Sequence, residues 1–242
     1  MGHGESEADF MNILTAENIV RSFASSAGTV LDGVSLCVQE GDIFVVLGHS
    51  GCGKSTLLRV LGGFDAPDAG SVFLDGTPVT KPRRDMVMMF QSFEQLFPWF
   101  TLQENLVYAL RKTGIMRDKE KAAVRAAEYL QKTGLAGFEH AYPHTLSGGM
   151  KQRGALARAL CLAPKVLLMD EPFSSLDFLT RKAMQDTLLE LQQTTHTTIV
   201  LVTHDIDEAL RLGHTITVLQ RGTKQLCACE KRKESLEGLL TL

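Results

Sequence analysis

No stretch of the 242-residue chain approaches the ~18 consecutive apolar residues needed to cross a bilayer. The longest apolar runs, such as Ile43 to Leu47, have the length of a strand. The opening MGHGESEADF is polar and acidic and holds neither the basic nor the apolar region of a secretory leader. If the protein acts at a membrane, another subunit has to hold it there. Cysteine is sparse: five, at positions 37, 52, 161, 227 and 229, without the double pairing of a zinc site or the density of a disulfide-stapled domain. Cys227-x-Cys229 reads as two ordinary strand residues, and all five as reduced thiols. A charge excess is also missing. Twenty-five Lys and Arg against 28 Asp and Glu give a net charge of −3, which argues against a dedicated nucleic-acid binder. There is no internal repeat and no low-complexity linker, and the tail after Gly222 is too short for a regulatory domain.

What remains is an ordinary globular composition, 44% hydrophobic and 22% charged, at a length that fits one large domain with or without a small insert. Apolar pieces at Ile13 to Val20, Val34 to Val38 and Ile43 to Leu47, punctuated by Gly28, Gly33 and Gly41, read as strands. A glycine-rich loop and a helix from about Lys54 to Leu61 follow. Ser71 to Leu74 is another strand, closed by an Asp75-Gly76 turn. Helical periodicity marks Gln103 to Arg111 and Asp118 to Lys132. Val166 to Met169 and Thr198 to Thr203 are short apolar runs of the kind found in a parallel sheet buried on both faces. Lys231 to Leu242 reads as a terminal helix. The expected fold is an α/β core interrupted by a helical insert.

Gly48-His49-Ser50-Gly51-Cys52-Gly53-Lys54-Ser55 matches the phosphate-binding pattern G-x-x-x-x-G-K-[ST]. It follows a strand and opens a helix, as that pattern requires. Glycines let successive backbone amides turn inward around phosphates; Lys54 would reach the β and γ groups, and the Ser55 hydroxyl would ligate Mg²⁺. Cys52, in this loop at a helix N-terminus, is expected to carry a lowered thiol pKa. Val166-Leu-Leu-Met-Asp170-Glu171 is an apolar strand ending in two acids, at the end where a parallel sheet opens its ligand crevice. Asp170 would hold the metal shell and Glu171 would polarise an attacking water. His204, closing Thr198 to Thr203, reads equally as structural or as a γ-phosphate contact, and Gln91 alone says little. A second anion site stands at Ser147-Gly148-Gly149-Met150, where bare amides begin a helix.

As a set, these residues resemble the nucleotide-binding subunit of ATP-binding cassette (ABC) transporters over nearly the whole chain. The motifs stand in that family's order: GHSGCGKST at 48–56, Gln91, LSGGMKQR at 146–153, LLMDEP at 167–172, SLD at 175–177 and THD at 203–205. The resemblance implies a P-loop NTPase (RecA-like) α/β fold: a parallel-sheet core with an N-terminal antiparallel β subdomain and a helical subdomain. One ATPase domain would span 11–242, with the helical part at about 93–160 and residues 1–10 as a polar leader. It further implies that two copies pair head to tail, with ATP and Mg²⁺ between the 48–56 loop of one and Ser147, Gly148, Gly149 and Met150 of the other. Phe23 would stack on adenine, and Thr56 would complete the ATP contacts. Glu171 would be the general base and His204 the switch histidine. Lys54 would be catalytic, as would Gln91, which would link Mg²⁺ to the membrane partner. Asp177 would cross the dimer.

Phe90, Phe93, Phe97, Trp99 and Phe100 crowd eleven residues beside Gln91 and suggest a groove for an amphipathic partner helix. The stretch Leu96-Phe-Pro-Trp-Phe-Thr101 is similar to the LPW-x-T of importers for nitrate, sulfonates and taurine. That implies an ATPase that powers uptake of a small anion, peripheral on the cytoplasmic face of the plasma membrane, with permease subunits and an extracytoplasmic solute-binding protein as partners and no nucleic acid. An exporter or lipoprotein-release cassette uses the same chemistry with another partner. Among soluble non-transport ABC ATPases, the repair type would need a long coiled-coil insert and the translation type two cassettes in one chain, and the LFPWF entry disfavours the iron–sulfur type.

Overall fold

A computed structural model describes residues 12–23, 28–91, 95–220, 226, 236 and 238–240. Two sheets form. The first is antiparallel, in the order β2-β1-β4-β5, from β1 (Asn12–Ser22), β2 (Thr29–Gln39), β4 (Ala69–Leu74) and β5 (Thr77–Pro78). The second is wholly parallel, in the order β6-β7-β8-β3-β9, from β3 (Ile43–Leu47), β6 (Met86–Met89), β7 (Val166–Asp170), β8 (Thr198–Thr203) and β9 (Thr215–Val218). Every residue of β3, β7 and β8 is buried, so their unbroken apolar runs need no polar alternation. Ile43, Val45 and Leu47 enter one half of the core and Phe44 and Val46 the other, the period-2 pattern of a strand covered on both sides. The expected α/β parallel core with an antiparallel β sheet is therefore present.

The N-terminal strands are longer than their apolar runs. Gly33, expected between strands, lies inside β2 at φ 73°. There Ile19 faces Val34 and the next residue, Val20, faces Asp32, so Gly33 is the extra residue of a bulge. β9 was not anticipated, because Thr215-Ile-Thr-Val218 is short and half polar. Phe93, Cys227, Cys229 and the leader lie outside the described residues. Of the terminal helix, residues 236 and 238–240 are described and are helical.

The helices are α1 (Lys54–Leu61), α2 (Leu102–Lys112), α3 (Lys119–Lys132), α4 (Gly148–Leu160), α5 (Phe178–Thr195) and α6 (Ile206–Leu212). Capping explains most of their starts. Thr101 and Glu104 form a reciprocal capping box on α2, Asp118 caps α3, and Asp177 caps α5. α1 begins instead at Gly53, which has no side chain to cap it.

The entry to α2 is organised by Asn105, which is fully buried. Its Nδ2 donates to the carbonyls of Phe97, Phe100 and Thr101 at 3.2, 3.2 and 2.9 Å, and its Oδ1 accepts from Phe97 N at 2.7 Å. On this frame the Phe97 ring sits 5.3 Å from Tyr108 and 5.9 Å from Phe100, while Trp99 is left 67% exposed. Asn105→Ala would strand these backbone groups. We expect a loss on the order of 2–3 kcal/mol, read as a lower urea midpoint at unchanged slope.

Candidate functional site

The phosphate-binding loop leaves β3 at the edge where β7 and β8 also end. Leu47 pairs with Thr203, and Asp170 with Val202, so three distant motifs meet there. Gly48 donates its amide to Thr203 O at 3.2 Å, and a Cβ at position 48 would lie 2.5 Å from Leu219 O. Gly51 and Gly53 hold φ of 81° and 110°, which L-residues avoid. The loop borders a cleft of about 590 Å³ lined by Phe23, Val30, Ser50, Gly51, Gly53, Lys54, Ser55, Thr56, Gln91 and Glu171. That is the size class of a small-molecule site.

Lys54 is only 4% exposed. Its Nζ donates to Gly48 O at 2.8 Å and His49 O at 3.0 Å and lies 3.4 Å from Glu171 Oε1. Glu171 follows β7 with φ at 43°, a left-handed conformation that costs a non-glycine residue on the order of 1 kcal/mol. Its second oxygen faces Gln91 Nε2 at 3.4 Å and His204 Nδ1 at 3.3 Å. One carboxylate thus meets a buried cation, an amide donor and an exposed imidazole. Ser55 Oγ donates to Asp170 Oδ1 at 3.0 Å. Burial pushes the Asp170 carboxyl above its usual range and the nearby Glu171 charge adds to this, while Ser55, Lys54 and Arg59 oppose it. A desolvated carboxylate beside a hydroxyl is a hard-oxygen pair that a small divalent cation fits once phosphate oxygens and waters complete its shell. No cluster of three or more His, Cys, Asp or Glu suited to a metal occurs among the described residues.

Phe23 borders the cleft with the Arg21 guanidinium 4.9 Å from its ring centroid. Val30 lines the same wall and was missed, since a single valine at a strand start carries no pattern. His49 turns away from the cleft, its Nε2 2.6 Å from Leu240 O. Ser147, Gly148, Gly149, Met150 and Asp177 do not line the cleft. Ser147 caps α4 by accepting from Met150 N at 3.3 Å and is exposed, as is Gly148. Asp177 is occupied as a cap, accepting from Leu179 N and Thr180 N at 3.1 Å each. Hydrogen bonds from Thr180 and Leu179 hold its carboxyl below the usual range.

The expectation for Cys52 is overturned. Burial raises its thiol pKa, outweighing the lowering by the Lys54 charge and the backbone N–H groups. The helix end and cation are present, but the sulfur is out of water, and desolvation of the thiolate wins. With iodoacetamide at pH 8, exposed Cys37 should be modified first and Cys52 at least ~10-fold more slowly. Equal rates, read by peptide mass spectrometry, would contradict this.

Comparison with known proteins gives a consistent picture. The family model described as ABC transporter matches residues 31–174. The bicarbonate transport ATP-binding protein CmpD of Synechococcus elongatus is 42% identical over 212 residues, covering 86% of this chain and 76% of that protein. The glycine betaine transport ATP-binding protein OpuAA of Bacillus subtilis is 44% identical over 217 residues, covering 86% and 51%. The chain spans between 32% and 76% of the length of such relatives. Among solved structures, the dimeric post-hydrolysis state of the ATP-binding cassette MJ0796 bound to ADP and Pi superposes with a TM-score of 0.76 at 31% identity, covering 88% of this chain and 96% of that one.

Proposed function

This chain belongs to the ABC transporter family of ATP-binding cassettes, and from that premise we propose that it is the ATP-hydrolysing subunit of a membrane importer, working as an ATP-bridged homodimer. The observation that carries the reading is the convergence of Lys54, Gln91 and His204 on the Glu171 carboxylate at 3.3–3.4 Å, in a cleft floored by the phosphate-binding loop.

Position supports the proposed roles. Lys54 holds two loop carbonyls and Glu171; an arriving triphosphate would take over these donor contacts. The N-terminus of α1, which no side chain caps, would add to the anion site. Ser55 and Asp170, with Gln91 nearby, would hold Mg²⁺, which when bound neutralises charge on the β and γ phosphates. Glu171 would accept a proton from the attacking water, oriented by Gln91 and His204. Phe23 and Val30 would flank the base. Ser147, Gly148, Gly149 and Met150 would bind the γ-phosphate held by a second copy, and Asp177 would lie at that junction. We assign the chain to one domain over 11–242 with a helical subdomain at about 93–160.

The cargo proposed is a small anion of the nitrate, sulfonate or taurine type, supported by the Leu96–Thr101 stretch and by the bicarbonate transport named for one relative. No helix among the described residues is long and apolar enough to span a membrane, so attachment would come through permease subunits, at the cytoplasmic face. Exposed Trp99, beside Phe97 and Phe100, is the proposed anchor. An extracytoplasmic solute-binding protein would deliver the cargo.

Glu171→Gln should lower ATP turnover by ~100-fold or more while ATP binding persists, and should trap a dimer in gel filtration with Mg-ATP. A monomer at high protein and ATP concentration would sink the homodimer. Trp99→Ala should leave ATP binding intact and weaken attachment to permease-containing membranes by ~30-fold, on the order of 2 kcal/mol. Unchanged co-sedimentation would remove Trp99 as the anchor.

A further inference from the structure

Glu171 opens a short loop that ends at Asp177 and α5. Glu171 O accepts from Ser174 N at 3.3 Å and Ser174 Oγ at 3.0 Å, and Leu176 N donates to Phe173 O at 3.2 Å. The far end of this loop is tied back to the site by one arginine. Arg181 Nη2 donates to Leu176 O and Nη1 to Asp205 Oδ2, both at 3.2 Å. Asp205 Oδ1 accepts from Glu208 N at 3.1 Å, which caps α6. Asp205 N donates to Thr203 Oγ1 at 3.1 Å, and that hydroxyl donates to Glu208 Oε2 at 2.5 Å.

His204 sits between Thr203 and Asp205, and its imidazole is half exposed beside Glu171. These contacts and the covalent chain between them together close a ring from Glu171 through the 171–176 loop, Arg181, Asp205 and His204 back to Glu171. Strand pairing, including Glu171 N to Val202 O at 3.1 Å, fixes one side of that ring. Arg181 supplies the other. Two buried atoms in the network, Arg181 Nε and Glu208 Oε1, have no partner, so it holds a spare donor and a spare acceptor. Both residues border one cleft of about 350 Å³. Burial pushes the Glu208 carboxyl up to about 7; Thr203, Arg181 and His204 oppose the shift and Asp205 adds to it. The two unpartnered atoms leave part of this network's desolvation cost uncompensated.

We propose that Arg181 is a positioning residue that links the loop ending at Asp177 to the segment carrying His204, so that displacement of the loop by a second copy moves the histidine relative to Glu171. Its trigger rests on the homodimer reading; the tie itself does not. Arg181 lies outside the motifs named above, and its effect passes through Asp205 rather than through the nucleotide.

The test uses the full chain carrying Arg181→Ala or Arg181→Lys. In Arg181→Ala, kcat for Mg-ATP should fall about tenfold with KM within twofold, and the His204 imidazole resonances of the ATP-free protein should shift. Arg181→Lys, which keeps a donor for Asp205, should recover part of kcat. In the Glu171→Gln background, Arg181→Ala should still dimerise with ATP. Unmoved His204 resonances would overturn the tie, and so would unchanged kcat. If Arg181→Ala does not fold, Asp205→Asn carries the same readouts from the other end of the bridge. If Glu171→Gln alone fails to dimerise, the homodimer reading falls, while the His204 resonances of ATP-free Arg181→Ala still decide the tie.

Discussion

A buried ammonium sets the terms for this site. Lys54 sits almost wholly out of water, and an isolated cation there would be strongly unfavourable. Its surroundings are arranged to answer that charge: two loop carbonyls at 2.8 and 3.0 Å and the Glu171 carboxylate at 3.4 Å. The loop can offer carbonyls inward only by following a path that side chains obstruct, so Gly48 packs where a Cβ would strike Leu219 O. Glu171 meets the lysine from a left-handed backbone conformation.

Parallel pairing does the rest of the assembly. In-register pairing of β3, β7 and β8 brings residues 48, 171 and 204 to one edge although more than a hundred positions separate the first from the others. Chemistry therefore stands on rigid strand ends, and the motions that matter are left to the loops that follow them.

Much of this was legible beforehand, for physical reasons. Strands buried on both faces show as unbroken apolar runs, and the meeting of Lys54, Ser55, Asp170 and Glu171 was expected because the phosphate-loop pattern and the acidic strand end both point to one sheet edge. Other features carry no such signature. The bulge at Gly33 is a register fact between two strands, visible only when both are paired. β9 is stabilised by its place against β3 rather than by its own composition. Cys52 was misjudged because a helix end and a lysine are visible in a sequence, whereas desolvation is a property of the packed loop. Val30 is placed on the cleft wall, and Arg181 beside Asp205, only by tertiary packing, which a one-dimensional pattern does not contain.

The segment at 147–150 joins these threads. Its glycine at 149 is buried, and a Cβ there would meet the Thr180 side-chain methyl at 2.4 Å, so that methyl packs onto the bare backbone of α4. Buried Gln152 donates to Pro172 O at 2.7 Å, which fastens the same helix to the residue after Glu171. The start of α4 is thus tied to the residue after Glu171, while Ser147 and Gly148, both exposed, do not line the cleft of their own chain. A helix terminus so firmly placed and outside its own site has a purpose if the anion it meets belongs to another molecule. Binding there would load the contacts that hold Glu171 and, through Thr180 and its neighbour Arg181, the bridge to Asp205. On this reading the second anion site and the histidine tie are two ends of one mechanical path, and the carboxylate lies between them.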